Sequence, residues 1–123
     1  MASVSKIALK RAYEQADKDD GCRILVDRLW PRGIKKEDAA IDEWLKEIGP
    51  SNELRKWFGH DSEKWPEFRK RYFQELEKNP EAVEPLTEIA KNQRQVTLIF
   101  SAKDSEHNNA VVLKEYLEEK LSS

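Results

Sequence analysis

Two guanidinium groups bracket a tryptophan where Arg28, Trp30 and Arg32 close the stretch Ile-Leu-Val-Asp-Arg-Leu-Trp-Pro-Arg-Gly, residues 24–33. An arginine fork matches a carboxylate or phosphate in two-point contact. An indole plate can stack on a base, a sugar or an aromatic ring, or sandwich an arginine. The competing structural reading pairs Arg28 with a neighbouring acid and buries Trp30 in the core. A second charged stretch, Ser101-Ala102-Lys103-Asp104-Ser105-Glu106-His107-Asn108-Asn109-Ala110, precedes the last apolar-periodic segment. A helix N-terminus there would offer unpaired N–H groups and partial positive charge to an anion. Lys103 adds a point charge, Asn108 a donor and His107 an imidazole. Alternatively Ser105 or His107–Asn108 caps that helix and Lys103 is solvated.

Acids and bases lie close by. Asp27 and Asp104 end their respective strands, and His60 stands beside Asp61 in Trp57-Phe58-Gly59-His60-Asp61. Asp27, His60 and Asp104 are the candidate proton-transfer groups, with Trp57 as a second aromatic wall. Each carboxylate has a plainer reading, orienting an arginine or capping a helix. A helix-ending glycine followed by a capping aspartate accounts for most of residues 57–61 without function. Two carboxylates at adjacent strand ends would also suit a divalent cation with waters. Neither histidine has metal-ligand spacing and Cys22 has no partner, so no metal site or cofactor is expected. Phosphate-binding loops, dinucleotide fingerprints and nucleophile elbows are missing from the sequence.

The elements that position these residues follow from periodicity. Ile24, Leu25 and Val26 form an apolar run of the kind buried on both faces of a sheet. Val96–Phe100 is a second such run. Lys6–Tyr13 alternates, with Ile7, Leu9 and Tyr13 on one face and Lys6, Ala8 and Lys10 on the other, as a strand with one wet face does. The connector to residue 22 is short for a parallel crossover, so spacing alone allows the first two strands to be antiparallel. Ile41, Trp44, Leu45 and Ile48 follow helical spacing after Lys35–Asp38, and Gly49-Pro50 stops that segment. Ser51 suits the cap of a short helix through about Trp57. Pro66 suits the first turn of the next helix, lined by Trp65, Phe68, Tyr72 and Leu76. Asn79-Pro80 opens another, with Val83, Leu86, Ile89 and Ala90 inward and Pro85 predicting a kink or late start. The last helix spans about 108–121.

This is an α/β pattern: a small, mostly parallel sheet of three or four strands, with helices on both faces, in one domain over residues 1–123. In open sheets of this kind ligands bind beyond the carboxyl ends of the strands. The chain has 22 basic and 24 acidic residues, a net charge of −2. With no global basic field, nucleic acid is disfavoured as a partner, and an anionic small molecule is preferred. One cysteine fits a reducing compartment. No apolar run approaches the ~20 residues of a membrane span, and Met-Ala-Ser-Val-Ser-Lys lacks a signal peptide's apolar segment. The expectation is a cytoplasmic protein without a membrane partner. The oligomeric state is open.

Three segments together resemble the DUF488 family, closest to its short YeaO-like branch. They are Leu25-Val26-Asp27-Arg28-Leu29-Trp30-Pro31-Arg32-Gly33, Leu54-Arg55-Lys56-Trp57-Phe58-Gly59-His60-Asp61, and Ser101-Ala102-Lys103-Asp104 with His107-Asn108-Asn109-Ala110. The resemblance implies a compact α/β domain in a family without an established activity. Longer relatives tend to carry a Cys-His pair near Asn108-Asn109. It is missing here, so thiol or metal chemistry does not carry over. A transcription-factor role has no helix-turn-helix with a basic recognition helix to support it. The leading expectation is a strand-end crevice for a phosphate- or carboxylate-bearing ligand, as a binder or as a hydrolase or transferase. The ligand-binding candidates are Arg28, Trp30, Arg32, Trp57, Lys103, His107 and Asn108. The alternatives are a nucleic-acid-binding or processing module and a non-catalytic protein-interaction domain.

Overall fold

The structure is a computed structural model that describes residues 6–122. Residues 1–5 of the amino-terminal stretch read for a leader segment lie outside the described residues. Four strands form one sheet: β1 (Lys6–Arg11), β2 (Cys22–Leu25), β3 (Glu43–Trp44) and β4 (Gln95–Phe100). Their spatial order is β1-β4-β2-β3 and every neighbouring pair is parallel. The sequence allowed β1 and β2 to pair antiparallel. Instead β4 lies between them, and the connector at 12–21 runs back along the sheet. A return past a strand of about six residues needs only ~20 Å, well within the reach of such a connector.

Helices α1 (Lys36–Ala39), α2 (Asn52–Phe58), α3 (Trp65–Lys78), α4 (Pro80–Asn92) and α5 (Asn109–Ser122) complete the chain. They cover the two faces unequally. On one face Ile7, Ile24, Val26, Val96, Leu98 and Phe100 meet the apolar stripes of α2 through α5, including Phe58, Phe68, Tyr72, Leu86 and Leu113. Helical spacing at 54–58, 68–76, 83–90 and 110–117 builds these stripes. On the other face Ala12, Leu25 and Ile99 form a smaller cluster, with Trp30, Ile34 and Ile41 packed against it. That face is closed by the loop after β2 and the single turn of α1.

Around residue 44 the helical spacing was misleading. Ile41, Trp44, Leu45 and Ile48 do not lie on one helix. α1 ends at Ala40, whose φ of 50° is left-handed, and Asp42 N–H donates to Arg23 O at 2.9 Å. The chain then pairs with β2 as the two-residue strand β3 and passes through a 3-10 turn at Lys46–Ile48. Local periodicity lost to backbone pairing at the sheet edge. Elsewhere the expected helices form. Ser51 Oγ caps α2 by accepting from Leu54 N, Pro66 lies in the first turn of α3, and α4 runs from Pro80 with Pro85 inside it, without a late start.

A buried carboxylate holds the second face together. Asp20 is buried and accepts from Lys10 Nζ at 3.0 Å and Arg23 Nη1 at 2.5 Å. Its own carbonyl accepts from Thr97 Oγ1 at 2.6 Å. One residue thereby joins β1, β2 and β4. Gly21 follows with φ +66°, and a Cβ there would stand 2.3 Å from Gln95 O. Only glycine permits so close a backbone approach. At the far end of β1, Glu14 Oε2 accepts from Arg11 N at 2.7 Å. Tyr72, fully buried, donates its hydroxyl to Ile48 O at 2.6 Å, and burial pushes that phenol well above its usual range.

Burial raises the Asp20 pKa, but the hydrogen bonds from Asp17 N–H, Lys10 and Arg23 outweigh it and hold the carboxyl below its ordinary value. A depressed carboxyl adds stability above its unfolded pKa of ~3.9, lost as pH falls through the folded value. Asp20→Asn is expected to cost about 3 kcal/mol near neutrality, because Arg23 stays buried without its partner. The wild-type advantage should narrow below about pH 4. Urea melts at both pH values check this, and an equal gap at each would refute it.

Candidate functional site

The carboxyl ends of β2 and β4 meet through Asp27. Val26 N still donates to Ile99 O at 3.1 Å, which leaves Asp27 just beyond the sheet. Its Oδ2 accepts from Ser101 N at 2.9 Å and Ser101 Oγ at 2.8 Å. Its Oδ1 lies 3.2 Å from Asn109 Nδ2, which also donates to Val26 O at 3.1 Å. A half-buried carboxylate with three donors is a clasp between two strand exits and the start of α5.

The neighbouring cations are held by carbonyls. Arg28 donates from Nε to Pro50 O at 2.9 Å and from Nη2 to Gly49 O at 3.1 Å. Arg11, at the exit of β1, donates from Nε to Ala102 O at 2.8 Å. Arg32 and Lys103 are exposed. Among the described residues none of Arg11, Arg28, Arg32, Lys46 and Lys103 has a carboxylate partner, whereas Lys10, Arg23, Arg69 and Arg71 each do. A carbonyl dipole orients a guanidinium without cancelling its charge. The strand exits therefore bring together several cations that no direct ion pair among the described residues engages.

Aromatic rings share this edge. Trp30 is half-buried, donates Nε1 to Ile34 O at 2.8 Å, and meets Trp44 edge-on with centroids 5.5 Å apart. Trp44 donates Nε1 to Asp27 O at 2.8 Å, and Lys46 Nζ lies 5.3 Å from its ring centre. Tyr13 donates its hydroxyl to Arg32 O at 3.0 Å, with the Arg11 guanidinium 5.1 Å from its ring centre. Tyr13 at 48%, Leu29 at 71% and Trp44 at 39% exposure are the exposed large hydrophobics among the described residues. Tyr13, Arg11 and Trp44 were missed from the sequence. Tyr13 was assigned to the inner face of a strand and Trp44 to a helix stripe, and no local pattern separates those readings.

Other candidates have local structural partners. Asn108 is 4% exposed; its Oδ1 accepts from Val111 N and its Nδ2 donates to Asp104 O. It is the cap of α5, so the helix N-terminus is already engaged. Asp104 accepts from the N–H groups of Glu106 and His107 and meets His107 Nδ1 at 2.9 Å. Those backbone bonds, then the imidazole, hold its carboxyl below the ordinary value. The His107 ring stands edge-on to Trp65 at 5.2 Å, and Trp65 lies 6.0 Å from Phe58. His60 is exposed at φ +60°, its ring 6.4 Å from Phe58. The two histidines thus flank one aromatic cluster. Trp57 lines an open groove of about 420 Å³ with Ser51, Arg71, Glu75 and Lys78, and the Arg71 guanidinium lies 4.2 Å from its ring centre. A second groove, of about 590 Å³, includes Cys22, Asp42, Glu43 and Glu88 at the strand entrances. Burial and the Asp42 and Glu43 charges push the Cys22 thiol up, which disfavours the nucleophilic thiolate. Among the described residues no group of three or more His, Cys, Asp or Glu is placed to hold a metal ion. No helix there is long and apolar enough to cross a membrane.

Residues 6–123 match the family described as the inactive DUF488-N3 subclade. The chain belongs to the DUF488 family. It is 50% identical over 111 residues to the uncharacterised protein YeaO of Escherichia coli K12, covering 90% of this chain and 96% of that one. It is 37% identical over 119 residues to uncharacterised proteins of Mycobacterium bovis and Mycobacterium tuberculosis, covering 95% of this chain and 98% of theirs. No solved structure matches. The three signature segments that carry the DUF488 likeness fall on the exit loop of β2, on α2 with its terminating glycine, and on the approach to α5.

Asp27→Ala removes the acceptor for three donors at the junction of β2, β4 and α5. The expected cost is about 1–3 kcal/mol, read as a lower denaturant midpoint with unchanged slope. A midpoint equal to wild type would show that the clasp adds nothing to stability.

Proposed function

We propose that this chain is a non-catalytic binding domain that receives a phosphate- or carboxylate-bearing ligand on the strand-exit face. The observation that carries the reading is the group of cations there without carboxylate partners. Arg28 and Arg11 are oriented in advance by backbone carbonyls, so little side-chain entropy remains to be lost on binding. Arg32 and Lys103 extend into solvent beside them and complete a two-point or three-point contact. Trp30 supplies the apolar wall.

Catalysis has weaker support. A general acid or base needs a free site within hydrogen-bond reach of a substrate proton. Asp27 spends its oxygens on Ser101 and Asn109, and Asp104 spends its own on its turn and on His107. The description of the subclade as inactive points the same way. The free thiol of Cys22 supports a cytoplasmic location.

A thermal-shift series with phosphate, sulfate, sugar phosphates, nucleotides and dicarboxylates tests the reading on wild type and Arg32→Ala. A ligand at a hundredfold excess over its Kd stabilises by about 2.7 kcal/mol, on the order of 10 °C for a chain of this size. The expected result is a shift in wild type from one anion class, cut by more than half in Arg32→Ala. The proposal fails if no anion shifts wild type, or if a folded Arg32→Ala protein keeps the whole effect.

A further inference from the structure

We infer that the ligand of the strand-exit face carries flat rings as well as negative charge, and that its class is single-stranded nucleic acid. The inference rests on the anion-binding reading and adds to it from a separate observation, the state of the exposed rings. A Tyr or Trp at a surface is ordinarily mobile, or buried with its polar tip outward. Here neither tip is left to water alone. Tyr13 and Trp44 have their polar tips held at the surface by carbonyls of one loop, at Arg32 and Asp27 respectively. Both rings stay exposed, and Leu29 of the same loop is more exposed still. The protein thus holds apolar faces toward solvent, in fixed orientation, at the sites where they gain least from the core.

Each of these rings also has a cation over one of its faces, Arg11 over Tyr13 and Lys46 over Trp44, so that a base would stack on the other face. Neither cation has a carboxylate partner among the described residues. A ring to stack on, with a positive charge in contact with it, is what a base and its phosphate require, and the pair occurs twice at the strand exits, once after β1 and once in β3. Stacking platforms in a cationic setting bind single strands without reading sequence. A duplex hides its base faces and would leave both rings unused. The net charge of −2 does not oppose this locally, because charges more than about 8–10 Å away are screened at physiological salt.

The test is fluorescence anisotropy with a labelled oligothymidylate of about 12 nucleotides and an abasic strand of equal length and charge. Polyglutamate and inorganic phosphate serve as competitors. Wild type, Tyr13→Leu and Lys46→Gln are compared. Wild type is expected to bind the thymidylate at least about tenfold more tightly than the abasic strand. Tyr13→Leu should lose most of that preference and keep its affinity for the abasic strand. Lys46→Gln, at an exposed position where folding is not at stake, should weaken both strands and flatten the salt dependence between about 50 and 200 mM. Equal affinity for the two strands, or polyglutamate competing as well as thymidylate, overturns the inference and leaves the anion-binding reading standing. A preference for thymidylate that survives unchanged in a folded Tyr13→Leu protein overturns the assignment to these rings. Failure of wild type to bind any of the three polyanions or phosphate overturns both readings.

Discussion

A buried carboxylate must find its countercharges or unfold its surroundings. Asp20 finds them on two different strands, at Lys10 of β1 and Arg23 of β2, while Thr97 of β4 binds its carbonyl. β1 and β2 are not neighbours in the sheet, so this cluster is a side-chain link across the strand between them. The register of β4 against both neighbours is fixed within one residue of Asp20, where Gly21 passes so close to Gln95. The parallel sheet, and every loop that leaves its far end, takes its alignment from that point.

At the opposite end the chemistry is inverted. Asp27 is a carboxylate without an arginine partner, satisfied by the donors of Ser101 and Asn109. Arg28, next to it, turns away to the carbonyls of Gly49 and Pro50. At one end Asp20 is neutralised by Lys10 and Arg23, whereas at the other Arg11 and Arg28 are held by carbonyls and not by carboxylates. Arg11 and Arg28 do structural and electrostatic work at once, since a carbonyl contact fixes a guanidinium and leaves its charge intact.

Much of this was legible in the residue order. The apolar runs at 24–26 and 96–100 announce buried strands, and the stripes on α3, α4 and α5 follow their periodicity because burial there depends on local spacing. Ser51 and Pro66 act as expected because caps and first turns are local chemistry. What escaped the sequence depends on partners distant in the chain. The spacing at 41–48 fits a helix, and only pairing of Glu43–Trp44 with Ile24–Leu25 makes a strand of it. That error hid Trp44, and assigning Tyr13 to an inner strand face hid the second exposed ring. The exit loops were identified as the place to look, but the partners of Asp27 and Arg28 lie 74 and 22 residues away, and no residue pattern encodes them.

The sheet's two margins differ from its centre in another way. β3 exposes an edge only two residues long, and at the end of β1 the Arg11 amide is already taken by the Glu14 carboxylate. A strand edge recruits other chains when it offers a long, flat ladder of unsatisfied backbone groups. This sheet offers a stub on one side and a ladder stopped by a side chain on the other. The fold thereby leaves one margin short and interrupts the other at the end where the exposed rings lie.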